Sequence, residues 1–180
     1  ESISNIGKIG NTSHAAAFSF YANKNITSGG EGGALATNNT QLADKIRKLS
    51  LHGMDKDGWK RFETGGKWGY DVSELGYKYN MTDVSASFGI DQLKQIDKWH
   101  SIRMQIVNRY NTELSSISGI VLPKHISGKI HSWHLYVIKI LKNKWTISRN
   151  QIIELLKENG IGTAVHYIPI HMHSYYINKY

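Results

Sequence analysis

Apolar and polar positions change period several times along the chain, and each change marks a new element. Ala15-Ala16-Ala17-Phe18-Ser19-Phe20 and Gly33-Ala34-Leu35-Ala36-Thr37 are short apolar runs on either side of a glycine-rich turn. That arrangement predicts two strands. Asn38-Asn39-Thr40 reads as a turn, with Thr40 the expected cap of a helix from Gln41 to Leu49 whose Leu42, Ile46 and Leu49 share one face. From Leu51 to Gly76 the chain mixes glycine, charge and aromatics without a period, which predicts a long loop of the kind that often carries function. Thr82 then caps a helical stripe of Val84, Phe88, Leu93, Ile96, Ile102, Ile106, Tyr110 and Leu114, expected to break between Asp97 and Ser101. Ser115 to Gly119 is the expected boundary between two lobes. Past it the pattern predicts a strand at Ile120-Val121-Leu122 and an alternating strand from Trp133 to Ile140. A helix from Arg149 to Glu158, capped by Ser148 and stopped by Gly160, precedes a strand from Gly162 to Ile168. This β, β, α, β order suits a small α+β lobe.

Composition narrows the field. At 180 residues and 40% hydrophobic content the chain can bury a core as one ordinary domain or two small ones. It has no apolar run of roughly 18 residues, so no membrane span is expected. Starting at Glu1 with no basic-then-apolar leader, it reads as an internal or processed piece of a cytoplasmic protein. Without cysteine there is neither a disulfide nor a thiol nucleophile. The net charge of +8 comes from scattered lysines and arginines with no nucleic-acid recognition motif, so it reads first as solvated surface and second as attraction for an anionic small molecule. No nucleic-acid partner is expected. There is no internal repeat or low-complexity tract.

The chemistry concentrates in Phe18-Ser19-Phe20-Tyr21-Ala22-Asn23-Lys24-Asn25-Ile26-Thr27-Ser28-Gly29-Gly30-Glu31-Gly32-Gly33-Ala34. An apolar lead-in delivers one lysine, and glycines follow at once. Lysine condenses with a carbonyl when its surroundings favour the neutral amine and hold it against an aldehyde. Ser19 and the amides of the turn are suited to binding the phosphate of such a cofactor. The whole string closely resembles the cofactor-lysine motif of the DegT/DnrJ/EryC1/StrS family of pyridoxal-phosphate-dependent sugar aminotransferases. Leu51-His52-Gly53, then Gly76-Tyr77-Lys78-Tyr79-Asn80-Met81-Thr82-Asp83, resembles the family's entry into its long helix. Trp133-His134-Leu135-Tyr136-Val137-Ile138 and Gly160-Ile161-Gly162-Thr163-Ala164-Val165-His166-Tyr167-Ile168-Pro169 resemble its C-terminal lobe.

The resemblance implies an α/β, type I aminotransferase-like fold. Residues 1 to 117 would be the later part of the pyridoxal-phosphate-binding large domain with its linking helix, and 118 to 180 most of a small C-terminal domain. Lys24 would bond the cofactor and then carry protons as acid-base, while Ser19 would bind the cofactor phosphate. Lys78 and Asn80 are the candidates for reaching the phosphate of a partner subunit in a homodimer. The commonest family pattern has Asn and Arg at those two positions, so the residue types are exchanged here. The Gly-Tyr-Lys-Tyr-Asn version resembles a branch making 4-amino sugars. The implied reaction is glutamate-dependent amination of a nucleotide-linked keto sugar, a 4-keto-6-deoxy sugar or a 4-keto pentose, for polysaccharide or glycan biosynthesis. Family members that act as dehydratases carry histidine in place of the lysine, so Lys24 favours aminotransfer.

Several other residues carry two readings. His166 lies on a segment that lines the active-site mouth in relatives, which makes it the candidate substrate contact. His131, His134, His171 and His173 read as polar packing, since no acidic ligand is interleaved and no metal site is expected. Trp59, Trp68 and Tyr70 either pack the long loop or contact the substrate, and Glu31 reads as a turn residue. His52 reads either as a neighbour of the cofactor or as a structural hydrogen-bonding residue. The carboxylate that pairs with the cofactor's pyridine nitrogen is expected upstream of Glu1. The 180 residues alone are therefore expected to have little or no activity. The rival reading is a fragment or regulatory remnant that keeps the fold and binds a partner without turnover.

Overall fold

The computed structural model describes residues 2–5, 7–55 and 69–180. It is a mixture of helices and short antiparallel strand pairs. The chain divides into two compact units, one of Glu1–Thr112 with Pro123–Tyr136 and the other of Glu113–Leu122 with Val137–Tyr180.

In the first unit β1 (Ile3–Ser4) pairs with β2 (Gly7–Lys8), and Ile3 also exchanges backbone hydrogen bonds of 3.1 Å with Ile130. The expected pair of strands is present: β3 (Ala16–Ser19) runs antiparallel to β4 (Gly33–Ala36), with Ser19 opposite Gly33. Helix α1 (Thr40–Ser50) begins one residue earlier than expected. Its cap is Asn39, whose side chain accepts from the Leu42 amide at 3.0 Å, and Thr40 is the first helical residue. Either residue type can accept a terminal N–H, and the one whose backbone stays extended takes the role.

Helix α2 (Asp83–Lys94) starts at Thr82 as expected, with the Thr82 hydroxyl accepting from the Ser85 amide at 3.2 Å. The break before α3 (Ile96–Leu114) falls at Gln95, earlier than the expected Asp97 to Ser101. The Gln95 amide turns back to the Gln92 carbonyl at 3.1 Å, a tight final turn that ends one helix while Gln95 still accepts from Trp99 in the next. Burial in this unit centres on Leu51, Met54, Val107 and Trp133.

The start of the loop after α1 is held by glycines at close quarters. Gly53 sits at φ +74, and a Cβ there would strike the Glu74 carbonyl. A Cβ on Gly76 would strike the Gly53 amide, with the His52 carbonyl carbon 2.6 Å away. The amides of Tyr77 and Tyr79 then donate to Leu49 and Ser50 at 2.7 and 2.8 Å. The pair thus ties residues 76–80 to the end of α1.

In the second unit β5 (Ile120–Val121) pairs antiparallel with β6 (Lys139–Ile140). The expected strand from Trp133 is reduced to these last two residues, and Gly162 to Ile168 contains no strand. Alternation specifies which side chains share a face, but a strand also needs a neighbour to complete its hydrogen-bond ladder. Among the described residues no segment supplies one to Gly162–Ile168. Helix α4 (Arg149–Glu158) forms as expected, with a reciprocal capping box between Ser148 and Gln151. Gly160, at φ +74, closes it. A short helix α5 (Ser174–Lys179) follows a single 3-10 turn at Ile170–Met172. No helix among the described residues is long and apolar enough to cross a membrane.

Two outcomes follow from this packing. Gly76→Ala lowers stability by about 2 kcal/mol or more in a urea denaturation series, because its new methyl meets backbone that cannot yield. Gly162→Ala, where a Cβ meets nothing within 4 Å, stays within about 0.5 kcal/mol of the parent. The second outcome concerns Tyr136, whose hydroxyl donates to Asn111 Oδ1 at 2.7 Å. Burial, reinforced by the neighbouring Tyr110 phenol, raises its pKa. Its contribution to stability is whole below the ordinary tyrosine pKa and is lost as pH climbs through the raised folded value. Tyr136→Phe removes that part of the alkaline loss of stability, as a pH series of melting temperatures would record.

Candidate active site

Lys24 stands in the turn between β3 and β4. Its amide donates to the Tyr21 carbonyl at 2.9 Å, and the Tyr21 amide is 3.3 Å from the Ser19 hydroxyl oxygen that accepts it. Ser19 and Lys24 therefore belong to one hydrogen-bonded run. Ser19 is exposed at the end of β3, and Lys24 is half-buried.

The far side of the turn is locked from within. Ser28 is only 2% exposed, and its hydroxyl donates to the Glu31 carbonyl at 2.9 Å. The Ser28 amide and the Thr27 hydroxyl both donate to the Phe20 carbonyl, at 3.1 and 3.0 Å. Phe20 in turn donates its amide to Gly32 at 2.8 Å. A Cβ on Gly32 would collide with the Ser28 hydroxyl and lie 3.1 Å from Met81 Cε. This approach explains the glycine and brings the segment before α2 against the turn. From α2 itself, Gln92 Oε1 accepts the Thr27 amide at 2.8 Å. Glu31, as expected, acts through its backbone as a turn residue.

Lys78 and Asn80 are brought together, the Lys78 ammonium donating to Asn80 Oδ1. Tyr77 and Tyr79, on the alternate positions, stack with ring centroids 4.8 Å apart. Met81 and Gln92 thus bring the segment before α2, and α2 itself, against the β3–β4 turn, while Lys78 and Asn80 on that segment pair with each other. His166 belongs to the second unit, where its ring packs on Tyr167 at 4.4 Å. His52 has φ 59, and its backbone amide donates to the Tyr77 carbonyl at 2.8 Å. His131 Nδ1 accepts the Trp133 amide at 2.8 Å, which puts the ring proton on Nε2 when the ring is neutral. Trp59 and Trp68 lie outside the described residues. No group of three or more His, Cys, Asp or Glu among the described residues is arranged to hold a metal ion.

Two ion pairs, Lys45 with Glu74 at 3.9 Å and Arg47 with Asp44 at 3.1 Å, are exposed and of small energetic weight. No carboxylate or carbonyl among the described residues engages the Lys24 Nζ. Ser19 uses its oxygen to accept the Tyr21 amide and keeps its own proton to give. A primary amine and a hydroxyl donor on one rigid hairpin fit an aldehyde-bearing phosphate cofactor. Sequence reasoning singled out Lys24 and Ser19 as candidates and did not single out Ser28 or Gln92, which hold the turn. Ser28 sat inside the motif as one more turn residue, and Gln92 carried no signal beyond being polar on an apolar-striped helix.

Comparison with known proteins agrees with this chemistry. The model of the DegT/DnrJ/EryC1/StrS aminotransferase family matches residues 4–180. The spore coat polysaccharide biosynthesis protein SpsC of Bacillus subtilis (strain 168) is 47% identical over 174 residues, covering 96% of this chain and 44% of SpsC. Spr1654 from Streptococcus pneumoniae, solved in a form with pyridoxamine phosphate, superposes with a TM-score of 0.82 at 32% identity, over 99% of this chain and 45% of that one. Aminotransferase TlmJ from Streptoalloteichus hindustanus superposes with a TM-score of 0.79 at 27% identity, over 97% of this chain and 44% of TlmJ. The chain thus spans less than half the length of these relatives, and it aligns with part of the type I aminotransferase fold. It belongs to the DegT/DnrJ/EryC1/StrS family of pyridoxal-phosphate-dependent aminotransferases.

Proposed function

We propose that this chain supplies the cofactor lysine of an aminotransferase that converts a nucleotide-linked keto sugar to its amino sugar with glutamate as donor. The acceptor we favour is a 4-keto-6-deoxy sugar, and the product would serve polysaccharide or glycan biosynthesis. The observation that carries the reading is Lys24 itself, an amine without a partner among the described residues on a turn held from both sides. The name of SpsC supports a polysaccharide pathway.

Bound pyridoxal phosphate supplies an electron sink that stabilises the carbanion left when the amino donor loses its α-proton. The chain's own residues do the rest. Lys24 Nζ would be the amine that holds the cofactor's aldehyde end, and as a free amine it would be the base that accepts the donor's α-proton. The turn fixes where that nitrogen starts from, so the proton it moves would travel only a short distance. Ser19 donates its hydroxyl proton to a phosphate oxygen, fixing the far end of the cofactor. Lys78 and Asn80 do the same for the second subunit of a homodimer, where an ammonium and an amide N–H both suit phosphate oxygens. His166 contacts the sugar. The assembly is cytoplasmic, with residues 1–117 contributing to the cofactor domain and 118–180 to a smaller one.

An isolated polypeptide of these 180 residues should show little or no transaminase activity. It covers 44% of SpsC, and apolar side chains such as Val84 and Ile90 remain 70% and 57% exposed. The test therefore uses the protein that carries these residues. Loaded with pyridoxal phosphate, it should absorb in the near ultraviolet and visible range and aminate a nucleotide-linked 4-keto sugar when given glutamate. Lys24→Ala should lose both the long-wavelength band and turnover. If the protein carrying these residues lacks the band and binds a partner chain instead, the reading as a non-catalytic remnant replaces this one. Ser19→Ala should weaken cofactor affinity about tenfold, the loss of one hydrogen bond to a charged phosphate, as equilibrium dialysis would measure.

A further inference from the structure

A second anchor of the lysine turn lies outside the residues assigned to the cofactor. The Ser132 carbonyl accepts two side-chain donors, Asn25 Nδ2 and Arg103 Nε, each at 3.1 Å. His100 Nε2 lies 3.0 Å from the neighbouring His131 carbonyl, to which it donates. Trp133, 6% exposed and at φ 49, closes the same tight turn by giving its amide to His131 Nδ1. Residues 131–133 are thus fastened to α3 by two side chains, and Asn25 reaches that fixed point from the residue directly after Lys24.

From this geometry we propose that Asn25 is a positioning residue for Lys24. The proposal rests on the reading of Lys24 as the cofactor lysine. The Lys24 side chain is a flexible four-carbon arm, so the protein controls its nitrogen by setting the direction in which the arm leaves the backbone. The Lys24 amide is held by Tyr21 on one side, and the Asn25 carboxamide is held by Ser132 on the other. Between those two bonds the Lys24 backbone has little freedom to rotate. Small errors at a reacting atom cost large factors in rate, which gives such an anchor a catalytic consequence without contact with substrate.

The test compares Asn25→Ala and Asn25→Asp with the parent in the protein that carries these residues. Asp keeps the volume of Asn but, ionised, cannot donate, so it serves as the readout if the Ala variant does not fold. With cofactor removed, reductive methylation by formaldehyde and cyanoborohydride is followed at each lysine by peptide mass spectrometry, with Lys45 as the internal reference. The Lys24 rate should change about threefold or more while Lys45 holds steady, as expected when one turn is released locally. In the loaded protein kcat should fall about tenfold while KM for the amino donor stays within about twofold. A Lys24 rate within about twofold of the parent, a change shared equally by Lys45, or an unaltered kcat overturns the proposal. Retention of the long-wavelength band by Lys24→Ala would defeat the cofactor reading instead, and the methylation ratio would still decide whether Asn25 positions Lys24.

Discussion

The buried hydroxyl of Ser28 closes the turn from which Lys24 is presented. It donates to the Glu31 carbonyl, and Gly32 gives it room. Left unpaired at 2% exposure, that hydroxyl would cost about 1–3 kcal/mol, so the hydroxyl and the absent Cβ specify one conformation together. That conformation presents Ser19 and Lys24 from a single hairpin. It also presents Thr27 to Gln92 and Met81 to Gly32, which couples the turn to α2 and to the segment leading into it.

The same logic explains how the segment carrying Lys78 and Asn80 is placed. Gly53 and Gly76 approach so closely that neither tolerates a side chain, and the Tyr77 and Tyr79 amides bond the last residues of α1. Alternation then sends the two tyrosine rings together and leaves Lys78 beside Asn80. One cation and one amide thus meet in this short stretch.

Local chemistry was legible in the sequence, and chemistry completed at a distance was not. The β3–β4 pair, the Thr82 cap and the Ser148 cap each depend on residues within a few positions, and each formed where expected. The Asn39 cap was missed by one residue because Asn and Thr compete for the same role. The strand expected at Gly162–Ile168 failed because alternation contains no information about who supplies the ladder. Lys24 was singled out as a candidate through its neighbours and the family resemblance. The groups that hold its turn were missed because they act across 65 residues for Gln92 and 107 for Ser132. A side-chain amide looks the same on paper whether it faces water or a carbonyl brought in by the fold.

Borohydride reduction of the pyridoxal-phosphate-loaded protein that carries these residues, followed by digestion and mass spectrometry, tests the role of the lysine most directly. The pyridoxyl mass should appear on the peptide containing Lys24 and on no other lysine. Its appearance on a different lysine, with Lys24 unmodified, would contradict the assignment of this turn as the cofactor site.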